Sequence, residues 1–336
     1  MSSLYGSFPS RRMRRMRTDS FSRKLVQENS LTPSNLIFPV FVLDERDSQQ
    51  EIPSMPGISR LGLNPLLKLA EESLQLGIPA LALFPVIEPQ KKSLDAAEAY
   101  NPNGLIPRYV HELKKRFPEL GIITDIALDP YTSHGQDGLV DDKGQILNDA
   151  TVAILKRQSL CHAEAGSDIV APSDMMDGRI GAIRQSLDSH AKTNTKILSY
   201  AAKYASAFYS PFRDALGTNM TLSNGNKMTY QMDPSNSDES IAEVSLDISE
   251  GADIIMIKPG MFYLDIIYRL KSKFTIPIFA YQVSGEYAML KAAFQNKSLE
   301  EKPCVMESLM CFKRAGCNAV LSYYALDVAR WLQKNT

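Results

Sequence analysis

Two lysines in this chain each close an apolar run, and both are placed for covalent chemistry. Lys258 follows residues 253–257, Asp-Ile-Ile-Met-Ile, and is followed at once by Pro259-Gly260. The run is short, β-branched and nearly all apolar, as in a strand buried on both faces of a parallel sheet. Pro-Gly then stops it. An amine at the end of such a strand is partly desolvated. Burial disfavours its charged form, and the neutral amine can form a Schiff base with a ketone. The plainer alternative is a lysine that snorkels to the sheet edge or pairs with a carboxylate. Lys203 closes the preceding run, just beyond Tyr200. Two ammonium groups at one site depress each other's pKa, which adds to desolvation. Against that stands an ion pair from one of them to Asp125 or Asp174.

Both amines need a scaffold that aims them into one mouth. Apolar runs at 36–43, 80–84, 121–127, 169–171, 196–200, 253–257, 276–281 and 319–322 read as strands. Helical patterns lie between and after them at 66–76, 109–117, 149–165, 179–189, 238–249, 263–273, 286–294, 303–315 and 326–333. Gly77 and Gly166 are expected to end the first and third helices, with Asn148 or Asp149 capping the third and Ser237 or Asp238 the fifth. Alternating strands and helices favour a parallel sheet. Eight such units in 336 residues favour a closed TIM (β/α)8 barrel. No Gly-rich dinucleotide fingerprint follows an early strand, which weakens the open-sheet alternative. Residues 1–29 form a polar arm and 30–336 the barrel domain. The stretch at about 205–236, rich in Gly, Asn, Ser and Pro, is too long for a plain connection and is expected to be an active-site lid.

Composition narrows the function. Net charge is −1, with 44% apolar and 22% charged residues, so no global field attracts nucleic acid or an anionic membrane. No apolar run is long enough to span a bilayer, and no apolar signal core stands near the N-terminus, which points to the cytoplasm. Cys161, Cys304, Cys311 and Cys317 show no Cys-x-x-Cys spacing. The arm holds Arg11, Arg12, Arg14, Arg15 and Arg17 and no acid before Asp19. Nucleic-acid tails, organelle targeting peptides and arms that dock on another subunit share that composition.

A TIM barrel carries its active groups at the C-terminal ends of its strands. There the chain places Asp125, the 129–137 segment, Ser173, Asp174, Tyr200, Lys203, Lys258, Ser284 and Tyr323. The flanking segments are distinctive: IPSMPG at 52–57, APSDMMDGR at 171–179, YASAFYSPFRD at 204–214, YQMDP at 230–234, IKPG at 257–260 and VSGEY at 283–287. On these segments, in this order, the chain from about Asp19 to its end resembles the 5-aminolevulinate dehydratase (porphobilinogen synthase) family.

The resemblance implies a lyase that condenses two 5-aminolevulinate molecules into porphobilinogen with loss of two waters, an early step of tetrapyrrole and haem biosynthesis. It implies Schiff bases on Lys203 and Lys258. It implies that Arg213 and Lys227 on the lid, helped by Gln231, grip one substrate carboxylate, and that Ser284 and Tyr323 hold the other. Asp125, Ser173, Asp174 and Tyr200 are then polar groups of the pocket. Taken singly, Arg213 and Lys227 are ordinary loop charges, while Ser284 and Tyr323 suit capping and packing.

Many family members bind zinc through three cysteines after the third strand; the matching positions here are Ala127, Asp129 and Asp137. Thiolate and imidazole suit zinc, whereas carboxylates suit magnesium. The chain is therefore similar to the zinc-independent branch, which implies no zinc and a magnesium ion, allosteric, at Glu243. His134 is expected to make a local hydrogen bond. The implied assembly is an octamer in which the arm embraces a neighbour. Two other functions stay open: a class I aldolase-like enzyme with one lysine, and a catalytically silent barrel. The paired lysines speak against both.

Overall fold

The computed structural model describes residues 6–217 and 227–334. The apolar runs form β1 (Leu36–Leu43), β2 (Ala80–Val86), β3 (Gly121–Ile126), β4 (Ile169–Pro172), β5 (Lys196–Lys203), β6 (Ile254–Lys258), β7 (Ile278–Gln282) and β8 (Ala319–Ser322). Each pairs in parallel with the next, and β8 returns to β1 through Leu36↔Val320 and Ile37↔Leu321. The sheet is thus closed, a TIM barrel as expected. Closure buries strands on both faces, which is why all eight residues of β1 can be apolar and buried.

Helices Leu63–Gln75, Leu105–Arg116, Asn148–Ala165, Arg179–Ser189, Glu239–Glu250, Leu264–Lys273, Glu301–Ala315 and Ala325–Gln333 accompany the strands. A further helix, Ser284–Gln295, begins directly after β7, so two helices separate β7 from β8. Gly77 and Gly166 adopt positive φ, as their terminating roles require. Asp238 stands at the N-cap of its helix, as expected, but makes no side-chain capping bond, and the N-cap of Asn148–Ala165 is Leu147. Asn148 is instead tied to the backbone of Asp177, accepting from its N–H at 2.8 Å and donating to its carbonyl at 3.2 Å. Ser237 and Asp238 are both engaged by Arg269.

Two features depart from expectation. An antiparallel hairpin, Gln49–Glu51 with Ser59–Leu61, joins β1 through Phe41↔Arg60. Its first strand is polar and exposed, so it carries no burial pattern. Second, β5 runs past Tyr200 to Lys203, because Lys203 pairs with β6 and its carbonyl accepts from Met232 N at 3.0 Å. Within the expected lid, a 3-10 turn, Ala207–Tyr209, leads into helix Ser210–Leu216; residues 218–226 lie outside the described residues. So do residues 1–5 of the arm, which further along carries a 3-10 turn, Met13–Arg17, and a short α-helix, Ser20–Leu25.

Candidate active site

At the C-terminal mouth of the barrel, β5 and β6 do not keep one register. Leu198 and Ser199 pair with Ile254 and Ile255, whereas Ala202 and Lys203 pair with Ile257 and Lys258. Tyr200 and Ala201 together oppose Met256, so β5 carries one extra residue, a β-bulge. Without it Lys258 would lie level with Ala202, and Lys203 would point to the other face. With it the two lysines are level neighbours on one face, each 5% exposed.

Their surroundings differ. Lys203 Nζ donates to the Ser173 carbonyl and lies 3.6 Å from Asp137 Oδ2. The ion pair therefore goes to Asp137, not to Asp125 or Asp174. Lys258 Nζ sits among rings, 5.3 Å from the centroid of Tyr200, 5.2 Å from Tyr209, 4.7 Å from Phe212 and 4.9 Å from Tyr281. Desolvation, then the Lys203 charge, lower its pKa to about 7 against the pull of Asp125, Asp129 and Asp137. Near pH 7 such an amine is in part neutral, whereas an ordinary lysine is almost wholly protonated. The ring faces meanwhile favour a cation at that spot, ammonium or iminium.

The carboxylates are arranged around the lysines. Lys227 Nζ bonds Asp129 Oδ2 at 3.1 Å and Asp137 Oδ1 at 3.0 Å, so Asp137 bridges Lys227 and Lys203. Burial pushes Asp137 up, but Lys203 and Lys227 outweigh it and hold the carboxyl below its ordinary value. Asp125 is pushed the other way, up to about 7, by burial and then by Asp129, with both lysines opposing. Asp174 also rises, to about 6, by burial against the Arg179 charge. Its Oδ1 accepts from Met176 N at 2.8 Å and its Oδ2 lies 3.7 Å from Arg179 Nε, so it is committed to the base of the helix after β4.

The other expected residues fall in two groups. Tyr323 and Tyr281 share a hydroxyl–hydroxyl bond of 2.8 Å beside the Lys258 cage. Ser284 Oγ accepts from Phe212 N at 2.9 Å and donates to Phe208 O at 3.4 Å, which pins the lid helix to the end of β7. The far end of that helix is held by the hairpin region: Ser54 donates to Asp214, and Arg60 donates to Ala215 O at 2.7 Å and Asp214 O at 2.8 Å. Arg213 is half-buried on the same helix, and Gln231 is buried next to the loop that bears Lys227. His134 makes the local bond expected of it, accepting from Gln136 N at 3.2 Å. Sequence reasoning missed Tyr209 and Phe212 as cage walls, and Ser54 and Arg60 as lid contacts. The aromatic-rich 204–214 segment was the available signal for the first pair.

A family model described as delta-aminolevulinic acid dehydratase matches residues 10–331. The chain belongs to the delta-aminolevulinic acid dehydratase family. It is 53% identical to the delta-aminolevulinic acid dehydratase of Bradyrhizobium diazoefficiens, over 96% of this chain and 91% of that one. The Rhodobacter capsulatus enzyme is 49% identical, over 96% and 97%. Among solved structures, the Toxoplasma gondii delta-aminolevulinic acid dehydratase (porphobilinogen synthase), in complex with its reaction product porphobilinogen, superposes with a TM-score of 0.95 at 50% identity, covering 97% of this chain and 92% of that one. As a member of the dehydratase family the chain is an enzyme, a lyase.

Two further observations concern metals in this dehydratase. Asp129 and Asp137 are neutralised by Lys227 and Lys203, and among the described residues no group of three or more His, Cys, Asp or Glu side chains is arranged to hold a metal ion. Glu243 is half-buried on helix Glu239–Glu250 and borders a polar cavity of about 700 Å3 together with Asn148, Asp177 and Glu239. Burial raises its pKa against the Arg179 charge, with Asp247, Asp177 and Glu239 adding to the rise. No helix among the described residues is long and apolar enough to cross a membrane.

Proposed function

We propose that the chain condenses two 5-aminolevulinate molecules into porphobilinogen through Schiff bases on both Lys203 and Lys258. The single observation that carries this is the bulge-set pairing of the two buried lysines. Each amine attacks a substrate ketone and releases one water. An iminium is an electron sink that acidifies the adjacent carbon, so a carbon nucleophile forms at moderate pH. Bond formation between the two substrates, at carbon and at the free amino group, then displaces both lysines. The two ketone oxygens account for the two waters lost. The test is direct: purified protein given 5-aminolevulinate should yield one porphobilinogen per two substrates consumed. A folded, assembled protein that consumes none would overturn the assignment.

Arg213 and Lys227, with Gln231, grip the carboxylate of the substrate on Lys203. A lysine has three N–H donors, and Lys227 commits two of them to Asp129 and Asp137, which leaves one. Arg213 supplies the planar fork that suits a carboxylate. Tyr323 and Ser284 hold the other carboxylate beside Lys258, Ser284 by turning its one O–H from the long 3.4 Å contact with Phe208 O to the substrate. Asp125, with its pKa near neutrality, Ser173, Asp174 and Tyr200 complete the polar wall.

The oxygen donors around Glu243 fit a magnesium ion, which takes oxygen ligands and keeps several waters. Glu243 would hold it as the one direct carboxylate ligand, with water completing the shell, and the bound charge would offset the acids that raise the Glu243 pKa. This ion is allosteric, and no zinc takes part. Activity should survive a zinc-selective chelator, rise with added magnesium, and lose that rise in Glu243→Gln. Activity that disappears with the chelator and returns only with zinc would contradict this.

Phe8, Met13, Met16, Phe21, Leu25 and Val26 are all exposed on the arm. An apolar surface of that kind asks for a partner, and the arm docks on a second subunit within an octamer. Deleting residues 1–17 should give smaller, less active assemblies by light scattering; unchanged mass and activity would refute this. The free cysteines suit a reducing compartment, and the cytoplasm is the proposed one.

A further inference from the structure

Glu286 is completely buried, at 0% exposure, and its carboxylate is met by backbone N–H groups. Oε2 accepts from Val283 N at 2.8 Å, the usual capping bond from the third residue of a helix to its N-cap. Oε1 leaves the helix and accepts from Met261 N at 2.8 Å. Met261 belongs to the turn Pro259-Gly260-Met261 directly behind Lys258. A cap alone needs only the first bond. The second joins the turn after β6 to the start of the helix after β7.

The turn has little slack elsewhere. A Cβ on Gly260 would come within 2.6 Å of the Phe312 ring and 3.0 Å of Tyr281 O, so that backbone is pressed against both. The residues before Glu286 reach a third segment. Ser284 Oγ takes the Phe212 N–H, and a Cβ on Gly285 would lie 2.5 Å from Phe208 O. Three consecutive residues thus knit the lid, the end of β7 and the turn behind Lys258 into one body.

We propose that Glu286 is a positioning residue for Lys258, fixing the turn behind the lysine to the end of β7 where Ser284 stands. The proposal rests on the assignment of Lys258 as an imine-forming amine. Its job is aim: Lys258 must meet a ketone whose carboxylate end is held from the β7 side, and loss of the tether lets the two drift apart.

Two variants separate aim from architecture. Glu286→Asp keeps both carboxyl oxygens and can still cap the helix, but is too short to reach Met261 as well. Glu286→Gln keeps the reach but offers one acceptor oxygen to two N–H donors. In Glu286→Asp, kcat should fall on the order of 100-fold, the scale of an Å-level misplacement, with KM changed far less. Borohydride trapping of 5-aminolevulinate on Lys258 should slow in step, while trapping on Lys203 keeps the wild-type rate. Wild-type kcat and Lys258 trapping in both variants would overturn the proposal, as would equal slowing at the two lysines. Failure of both variants to fold would also overturn it, assigning Glu286 to the fold alone. Should wild-type protein trap nothing on Lys258, the imine assignment fails instead. The tether is then judged separately by Met261 amide exchange, faster in Glu286→Asp if the bond exists and unchanged if it does not.

Discussion

Lys258→Met abolishes turnover, with kcat down on the order of 10^4-fold or more, while the folded protein survives. Methionine matches the reach of lysine without an amine. It also suits the cage of Tyr200, Tyr209, Phe212 and Tyr281, since sulfur packs well against rings. The change removes the leading charge that opposes the rise of the Asp125 pKa, so that carboxyl, already raised by burial and Asp129, takes up a proton and leaves no stranded ion. Lys258→Arg is equally inactive, since a guanidinium keeps the charge and cannot supply a neutral amine. In wild-type protein kcat/KM should rise with pH through about 7, the value to which burial and Lys203 bring Lys258. Below it the amine is protonated and cannot attack; above it the amine is free. Asp125 titrates in the same range, so the limb belongs to the coupled pair. Steady-state kinetics with circular dichroism checks all of this, and a folded Lys258→Met protein with substantial turnover would contradict it.

Lys203→Met has the second largest effect, a loss of kcat on the order of 10^3-fold. One imine can still form on Lys258, but the second substrate is no longer activated. The variant changes Lys258 as well. The Lys203 charge is the second cause, after desolvation, of the lowered Lys258 pKa. With that charge gone, Lys258 should hold its proton to higher pH. Trapping on Lys258 should therefore need a more alkaline solution than in wild-type protein. Asp137 keeps Lys227 as a partner at 3.0 Å, so its carboxylate is not stranded. The check is the pH dependence of borohydride labelling at Lys258 in the two proteins. A profile that does not move, or moves to lower pH, would show that the lysines do not feel each other.

Much of this arrangement is legible in the sequence. Apolar runs located all eight barrel strands, because burial on both faces leaves a simple signature. Lys258 was legible because its strand ends at Pro259. Lys203 was harder. The run 196–200 looks complete at Tyr200, and the last residues of β5 are held by pairing with β6 and with the segment around Met232. Those partners are remote in sequence, so no local pattern marks the extension. The bulge that levels the two lysines is equally silent, since Ala201 is an unremarkable strand residue. The hairpin at 49–61 was missed because its outer strand is polar and exposed. Capping bonds failed for a different reason: Asn148, Ser237 and Asp238 had the right chemistry but found remote partners in Asp177 and Arg269. Asp137 drew attention only as a metal-loop position, and its bridge between Lys203 and Lys227 needed the fold to bring three segments together.

The central claim is that two amines, not one, carry substrate. Wild-type protein incubated with 5-aminolevulinate, reduced with borohydride and digested for peptide mass spectrometry tests it most directly. Reduced adducts are expected on the peptides bearing Lys203 and Lys258, each lost in its own methionine variant. An adduct confined to one lysine, or none on either, from protein that is folded and turning over, would show that the pair does not share the work.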